Sequence, residues 1–238
     1  MNITIVGAGR AGSSFTTALR GVGHDARLIH HDELDQVGSP DLVLLAVPDD
    51  AIRPTSYRLA SSDAYVVAHV AGSRGLDELA KHPRVGLMHP LAALPTPELG
   101  ASRLLGALYS VAGDDVVTQV VASLGGRALR LSDEQRAIYH ATATVAANHL
   151  VALMGHVQVL AESAGLTLED FLPLSEQALA DVASMGVSRA LTGPASRADM
   201  ATIDAHLAAI PASQRSTYVA MANAAFELAE QRRLTSHL

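Results

Sequence analysis

Asn2-Ile3-Thr4-Ile5-Val6-Gly7-Ala8-Gly9-Arg10-Ala11-Gly12 is the stretch on which the reading of this chain turns. A short β-branched run ends in glycines, and Arg10 to Val22 then reads as a helix. Between strand and helix each glycine has a task. Gly7 permits the tight turn, Gly9 lets the backbone approach a pyrophosphate, and Gly12 lets helix and strand pack closely. The N–H groups of the first helical turn, at Arg10, Ala11 and Gly12, point at phosphate oxygens. Spaced glycines alone also describe a turn that holds nothing. Here strand, loop, helix and second strand follow in order, and the pattern reads as a dinucleotide site.

Outward from that loop, strand and helix alternate. Ala26 to His30 is a second strand, and Asp41-Leu-Val-Leu-Leu-Ala-Val47 is apolar nearly throughout, as a strand covered on both faces should be. Further strands fit Ala64 to His69, Arg84 to Met88, Ala107 to Ala112 and Gly126 to Leu131. Helical stretches such as Asp114 to Leu124 separate several of them. This alternation implies an α/β Rossmann domain with a mostly parallel sheet.

The second strand ends at His30-His31. An acid there would accept hydrogen bonds from the ribose 2′-OH of NAD, whereas two imidazoles suit the 2′-phosphate of NADP. The expectation is NADP(H) in preference to NAD(H). Val47-Pro48 closes another strand at its carboxyl end, where ligands bind in open α/β sheets, and adds a second wall to the site. Asp49 reads as a cap for the helix that follows.

After Ser132 strands disappear. Ser132-Asp-Glu-Gln135 is a capping-box pattern opening a helix that runs to about Ser163, with Gly165 ending it. Shorter helices follow around Leu168 to Met185, Arg197 to Leu207, with Ser196 and Asp199 as its capping box, and Ser213 to Arg233. The expected organisation is a dinucleotide-binding domain over 1–131 and an all-α C-terminal domain over 132–238 with one long helix. From Ala137 to Ala161 there is no Asp, Glu, Lys or Arg, a length that spans a bilayer. His140, Thr142, Thr144, Asn148, His149, His156 and Gln158 are costly in lipid, so the helix is expected inside protein. Being apolar on every side (Ile138, Val145, Leu150, Leu153, Val157, Leu160), it asks for more cover than three later helices supply. A homodimer is the expectation.

Composition narrows the partners. With 238 residues, no Cys, no Trp, three Phe and a formal charge of -7, the chain lacks thiolate chemistry, basic surface and stacking rings. Neither nucleic acid nor a membrane is an expected partner, and no metal site is read. Met1 leads straight into a strand and leaves no room for a signal peptide. A cytoplasmic protein handling small molecules is the reading.

The whole set of segments resembles a family of two-domain proteins, Rossmann-like with a C-terminal "domain of unknown function 2520". The segments that carry the resemblance are Gly7 to Gly12, Asp41 to Ile52, His69 to Gly72 and Met88-His-Pro-Leu91. Beyond them it rests on Tyr139-His140, Ala147-Asn148-His149 and Ala190-Leu-Thr-Gly-Pro-Ala-Ser-Arg197. The family is similar to the 6-phosphogluconate dehydrogenase superfamily, with its ketopantoate reductases, hydroxyisobutyrate dehydrogenases and prephenate dehydrogenases. The resemblance implies an NAD(P)-linked oxidoreductase with substrate between the domains, a dimer, and ketopantoate as the first substrate to try. It also implies a helix motif KxxxN with lysine as proton donor, and here this chain departs. The position four before Asn148 is Thr144, and the single lysine is Lys81.

Other acids are therefore needed. His140, Thr144 and Asn148 follow at intervals of four, on one side of a regular helix over about 12 Å. Imidazole titrates near neutrality and passes protons, so His140 is the preferred donor, with Asn148 orienting the substrate. His69 and His89 end two strands and are the other donor candidates. His89-Pro90 resembles a segment of prephenate dehydrogenases, which makes oxidation of a prephenate-like compound the alternative reaction. Gly72, Ser73, Thr144 and Arg197 are the candidate substrate contacts, Arg197 as a fork for a carboxylate. Each of these side chains also has a plain structural reading as a buried polar group, loop residue or surface charge. A dinucleotide sensor or scaffold that lost its chemistry along with the lysine is the non-enzymatic alternative.

Overall fold

The computed structural model describes residues 1–235. Seven strands form one sheet: β1 (Asn2–Val6), β2 (Asp25–Ile29), β3 (Leu42–Leu45), β4 (Val66–His69), β5 (Val85–Pro90), β6 (Leu108–Gly113) and β7 (Arg127–Arg130). Their order is β2-β1-β3-β4-β5-β6-β7, with every neighbouring pair parallel except β5 and β6. The chain moves to one side of β1 for β2 and to the other for β3. That reversal opens a crevice at the carboxyl ends of β1 and β3.

Alternation along the central strands explains why the sheet is covered twice. Ile3 and Ile5, Leu42 and Leu44, Val66 and Ala68 join one buried cluster, with Phe15 and Leu19 of α1 (Arg10–Gly21). The intervening Val6, Val43, Leu45 and Val67 join the other, with Ile52 of α2 (Ile52–Arg58). At about 1.5–3 kcal/mol for each fully buried aliphatic side chain, strand β3, with four residues at 0% exposure, is an anchor of the sheet. α3 (Pro97–Leu104) and α4 (Asp115–Ser123) pack on the first cluster through Leu104, Val117 and Val121.

The helical part begins as the capping box predicts. Gln135 N–H donates to the Ser132 hydroxyl at 3.4 Å, and Ser132 N–H donates to Gln135 Oε1 at 3.0 Å. The long helix is not regular, however. α5 (Asp133–Thr144) passes through a π-turn at Val145–His149 into α6 (Leu150–Ser163). Thr144 and Asn148 are thus separated by a widened turn, and the simple four-residue spacing from His140 to Asn148 does not hold.

α7 (Leu172–Met185), α8 (Val187–Ala190), α9 (Gly193–Arg197), α10 (Met200–Ala209) and α11 (Arg215–Thr235) follow. The helix expected to start at Arg197 is two helices. Ala198, at φ +57, breaks the chain between α9 and α10, and Asp199 caps α10 by accepting from Thr202 N–H at 3.1 Å. Ser196 donates instead to the Gly193 carbonyl, so it is no part of that cap, and Arg197 ends α9.

The chain divides into two compact units, Met1–Ala147 and the residues from Asn148 on. The change from strands to helices after Arg130 therefore precedes the division, because α5 belongs with the sheet. Residues 236–238 of the expected second domain lie outside the described residues.

Within the single chain the long helix lacks the cover its composition asks for. The helix Glu134–Ser163 is not buried: its most apolar stretch, of mean hydropathy 1.3, has 0% of its residues buried. Ile138 and Val145 are exposed, and Leu150, Leu153, Val157 and Leu160 are half-buried. By length and composition this helix is able to cross a membrane. The described residues supply too few apolar partners, for Leu174, Leu179 and Val187 are exposed as well.

Candidate functional site

The glycine loop has the geometry its sequence asks for. Gly7 sits at φ +113, and a Cβ there would stand 2.7 Å from the Ala46 carbonyl oxygen. A Cβ on Gly12 would lie 1.9 Å from the Gly7 carbonyl oxygen, so the helix packs on the loop as closely as backbone allows. Gly9 differs: nothing lies within 4 Å of its Cβ position, which opens into free space. The first bond of α1 runs from Ser13 N–H to the Gly9 carbonyl. That leaves the N–H groups of Arg10, Ala11 and Gly12 as the unsatisfied donors of a helix N-terminus.

Gly7, Gly9, His30, His31, Val47 and Pro48 wall one cavity of about 410 Å³ at the carboxyl ends of β1, β2 and β3. Among the described residues no carboxylate lines it. The His30 and His31 rings lie 4.3 Å apart, and Asp32 accepts from His30 Nδ1 at 2.5 Å. That bond holds the exposed Asp32 carboxyl below the usual range.

Further along the same sheet edge a second group assembles, all within the first unit. His69 ends β4 and is fully buried. Its Nδ1 accepts from Ala71 N–H at 3.2 Å and its Nε2 donates to the Gly75 carbonyl at 3.1 Å. Burial pushes its pKa down, and both nitrogens are spent on the backbone, so His69 pins the loop 70–75. His89, near the end of β5, meets two residues of α5. Tyr139 Oη is 3.4 Å from His89 Nδ1, and the His140 ring stands 5.9 Å away, edge-on. Burial, with the neighbouring charges of His140 and Arg136 adding to it, lowers the His89 pKa to about 4.

Gly72 is squeezed between these rings. A Cβ there would lie 2.6 Å from His140 Cδ2 and 2.8 Å from His89 Nε2. Ser73 gives its hydroxyl to Asp49 at 2.5 Å. Asp49 therefore binds a side chain 24 residues on and caps no helix, the correction being that a tertiary partner displaced the local one. Beside Tyr139 an apolar cavity of about 350 Å³ opens between Leu91, Leu131, Ile138 and Ala146.

The sequence reading missed Arg136. It is buried at 4% exposure, three and four residues before Tyr139 and His140, on the helix face that meets the histidines. That spacing was the available signal. Lys81 stands apart, its Nζ donating to the carbonyls of Tyr57 and Leu59 at 2.6 Å, where it satisfies the last turn of α2. Thr144 ends α5. Asn148, in the π-turn, and Arg197, at the end of α9, belong to the second unit.

Residues 110–225 match the family described as "Domain of unknown function (DUF2520)". The match begins inside β6 and so takes in the last two strands of the sheet as well as most of the helices. Among solved structures, a "putative NADP oxidoreductase" from Bacteroides fragilis is 19% identical at TM-score 0.78, over 94% of this chain and 97% of its own. A protein from Thermotoga maritima is 20% identical at TM-score 0.75, over 97% and 99%. A reductive aminase from Aspergillus terreus, solved with NADPH and ethyl-5-oxohexanoate, is 14% identical at TM-score 0.69, over 95% and 93%. At these identities the likeness is one of fold: the chain shares a Rossmann-like sheet followed by helices with all three. No curated protein matches it.

Proposed function

We propose that this chain is an NADP(H)-dependent oxidoreductase that reduces a small 2-oxo acid resembling ketopantoate. One observation carries the reading. The glycine-loop cavity at β1–β3 and the imidazole group at β4–β5 occupy neighbouring carboxyl ends of the same parallel strands. From β2 to β4 is three strand spacings, about 14 Å, a row along which an extended dinucleotide lies with its adenosine at His30-His31 and its nicotinamide toward His89. The Bacteroides and Aspergillus proteins, named for NADP or solved with NADPH, support the cofactor class.

The residues present fit that cofactor. The open Cβ position of Gly9 and the free N–H groups of Arg10, Ala11 and Gly12 receive the pyrophosphate, and His30 and His31 face the 2′-phosphate. When bound, the nicotinamide supplies the hydride. The chain orients the carbonyl and provides a hydrogen-bond donor and a proton. His140, whose ring nitrogens carry no hydrogen bond among the described residues, gives the proton. Ser73 and Thr144, both in the first unit, are proposed substrate contacts. With no carboxylate lining the cavity, calorimetry is expected to show tighter binding of NADPH than of NADH, and tighter NADH binding would refute the cofactor assignment. Turnover of NADPH against a panel of 2-oxo acids tests the reaction.

We also infer a homodimer, in which a second copy covers the exposed helix Glu134–Ser163. An apolar surface of this length left in water invites association, and the polar residues along it disfavour lipid. Sedimentation at micromolar concentration is expected to give twice the chain mass. A monomer there would contradict the inference.

A further inference from the structure

We propose that Tyr139 is a positioning residue that fixes His89 in the neutral tautomer carrying its proton on Nε2, so that His89 serves as an uncharged hydrogen-bond donor to the substrate oxygen. The inference rests on the site assigned above and goes beyond it by giving His89 a task that does not consume its proton.

The geometry starts with the phenol. A half-buried hydroxyl needs an acceptor, and the only hydrogen-bond partner found for Tyr139 Oη among the described residues is His89 Nδ1, at 3.4 Å. The rings meet edge-on, 5.8 Å between centroids at 89°. Such a bond is long before substrate binds and tightens in the working complex. Burial keeps the phenol protonated, and it is therefore the donor.

A neutral imidazole has one donor nitrogen and one acceptor nitrogen. With Nδ1 accepting from Tyr139, the proton of His89 sits on Nε2. The charged form is disfavoured by everything around the ring. Its neighbours are His140 and the buried Arg136 from α5, His69 from β4, and Asp49 from the loop after β3, and only Asp49 favours a proton. The Nε2 edge faces Gly72, where a Cβ would stand 2.8 Å from Nε2, so only glycine leaves that edge unpressed by a side chain.

A neutral N–H aimed at a carbonyl oxygen stabilises the negative charge that develops as hydride reaches the carbon. The carbonyl carbon gains the hydride and the oxygen gains a proton from His140. His89 keeps its own proton throughout.

The test is nitrogen NMR of protein labelled at its histidines, with His89 assigned by its loss in His89→Gln. The expected spectrum has a pyridine-like Nδ1 and a pyrrole-like Nε2 that do not titrate between pH 5.5 and 8.5. Tyr139→Phe is expected to shift His89 to a mixture of tautomers and to lower kcat roughly tenfold, with NADPH affinity unchanged. A proton on Nδ1 in the unaltered protein, titration of His89 within that range, or a spectrum indifferent to Tyr139→Phe would each overturn the inference. The tautomer is read without substrate, so failure of the 2-oxo acid panel would overturn the function and leave this result to stand or fall separately.

Discussion

Gly9→Val is expected to fold as the unaltered protein does and to bind no dinucleotide, whereas Gly12→Ala is expected not to hold its fold. The two glycines sit three residues apart in one loop, yet they answer to different constraints. A side chain at position 9 meets no protein atom within 4 Å and occupies only the space meant for the pyrophosphate. A methyl at position 12 would be driven to 1.9 Å from the Gly7 carbonyl oxygen, a backbone atom that moves only if helix and strand separate. Overpacking of that kind costs about 3 kcal/mol or more, a large part of the stability of a small domain. Thermal unfolding and NADPH titration of both variants separate the outcomes. An unstable Gly9→Val, or one that still binds, would mean that the loop is structural and the cofactor lies elsewhere.

Gly72→Ala should leave dinucleotide affinity intact and reduce turnover by about two orders of magnitude or more, as displacement of a reacting group by about 1 Å can. Its Cβ would enter 2.6 Å from His140 and 2.8 Å from His89, and imidazoles yield more readily than backbone. The fold survives at a cost of about 1–3 kcal/mol, while the rings are pushed off the oxygen they serve. Single-turnover rates at saturating NADPH check this. Unchanged rates would remove His89 and His140 from the chemistry together.

Legibility varied with the distance over which each signal acts. Six of the seven strands were readable as short runs with residues in the two buried clusters, whereas β7 (Arg127–Arg130), exposed at all four residues, was readable only from its place after the helix Asp114 to Leu124. The capping box at Ser132 and the packing of Gly12 on Gly7 were readable because their partners lie within a few residues. α2 was expected only as a helix following Asp49, without bounds, since Pro54 near its start looks like a break. α3 did carry a local signal, Thr96 accepting from Leu99 N–H with Pro97 in the first turn, that the reading passed over. The π-turn at Val145–His149 has no marker in residue type, so the register of Asn148 on the long helix could not be counted by fours. Asp49 shows the limit most clearly: the local rule for an acid after Pro48 is a cap, and Ser73, out of sight in sequence, overrides it. Arg136 was signalled only by its spacing from Tyr139 and His140, and its burial could not be read from the sequence around it.

The central claim is that hydride moves from a nicotinamide held by the Gly7–Gly12 loop to a 2-oxo acid beside His89. The most direct measurement uses NADPH deuterated at the nicotinamide C4 with the best 2-oxo acid of the panel, the product being read by mass spectrometry. The account predicts one deuterium on the new carbinol carbon, delivered from one face of the nicotinamide and lost in Gly9→Val. A protein that binds NADPH and transfers no deuterium to any acid of the panel would contradict it.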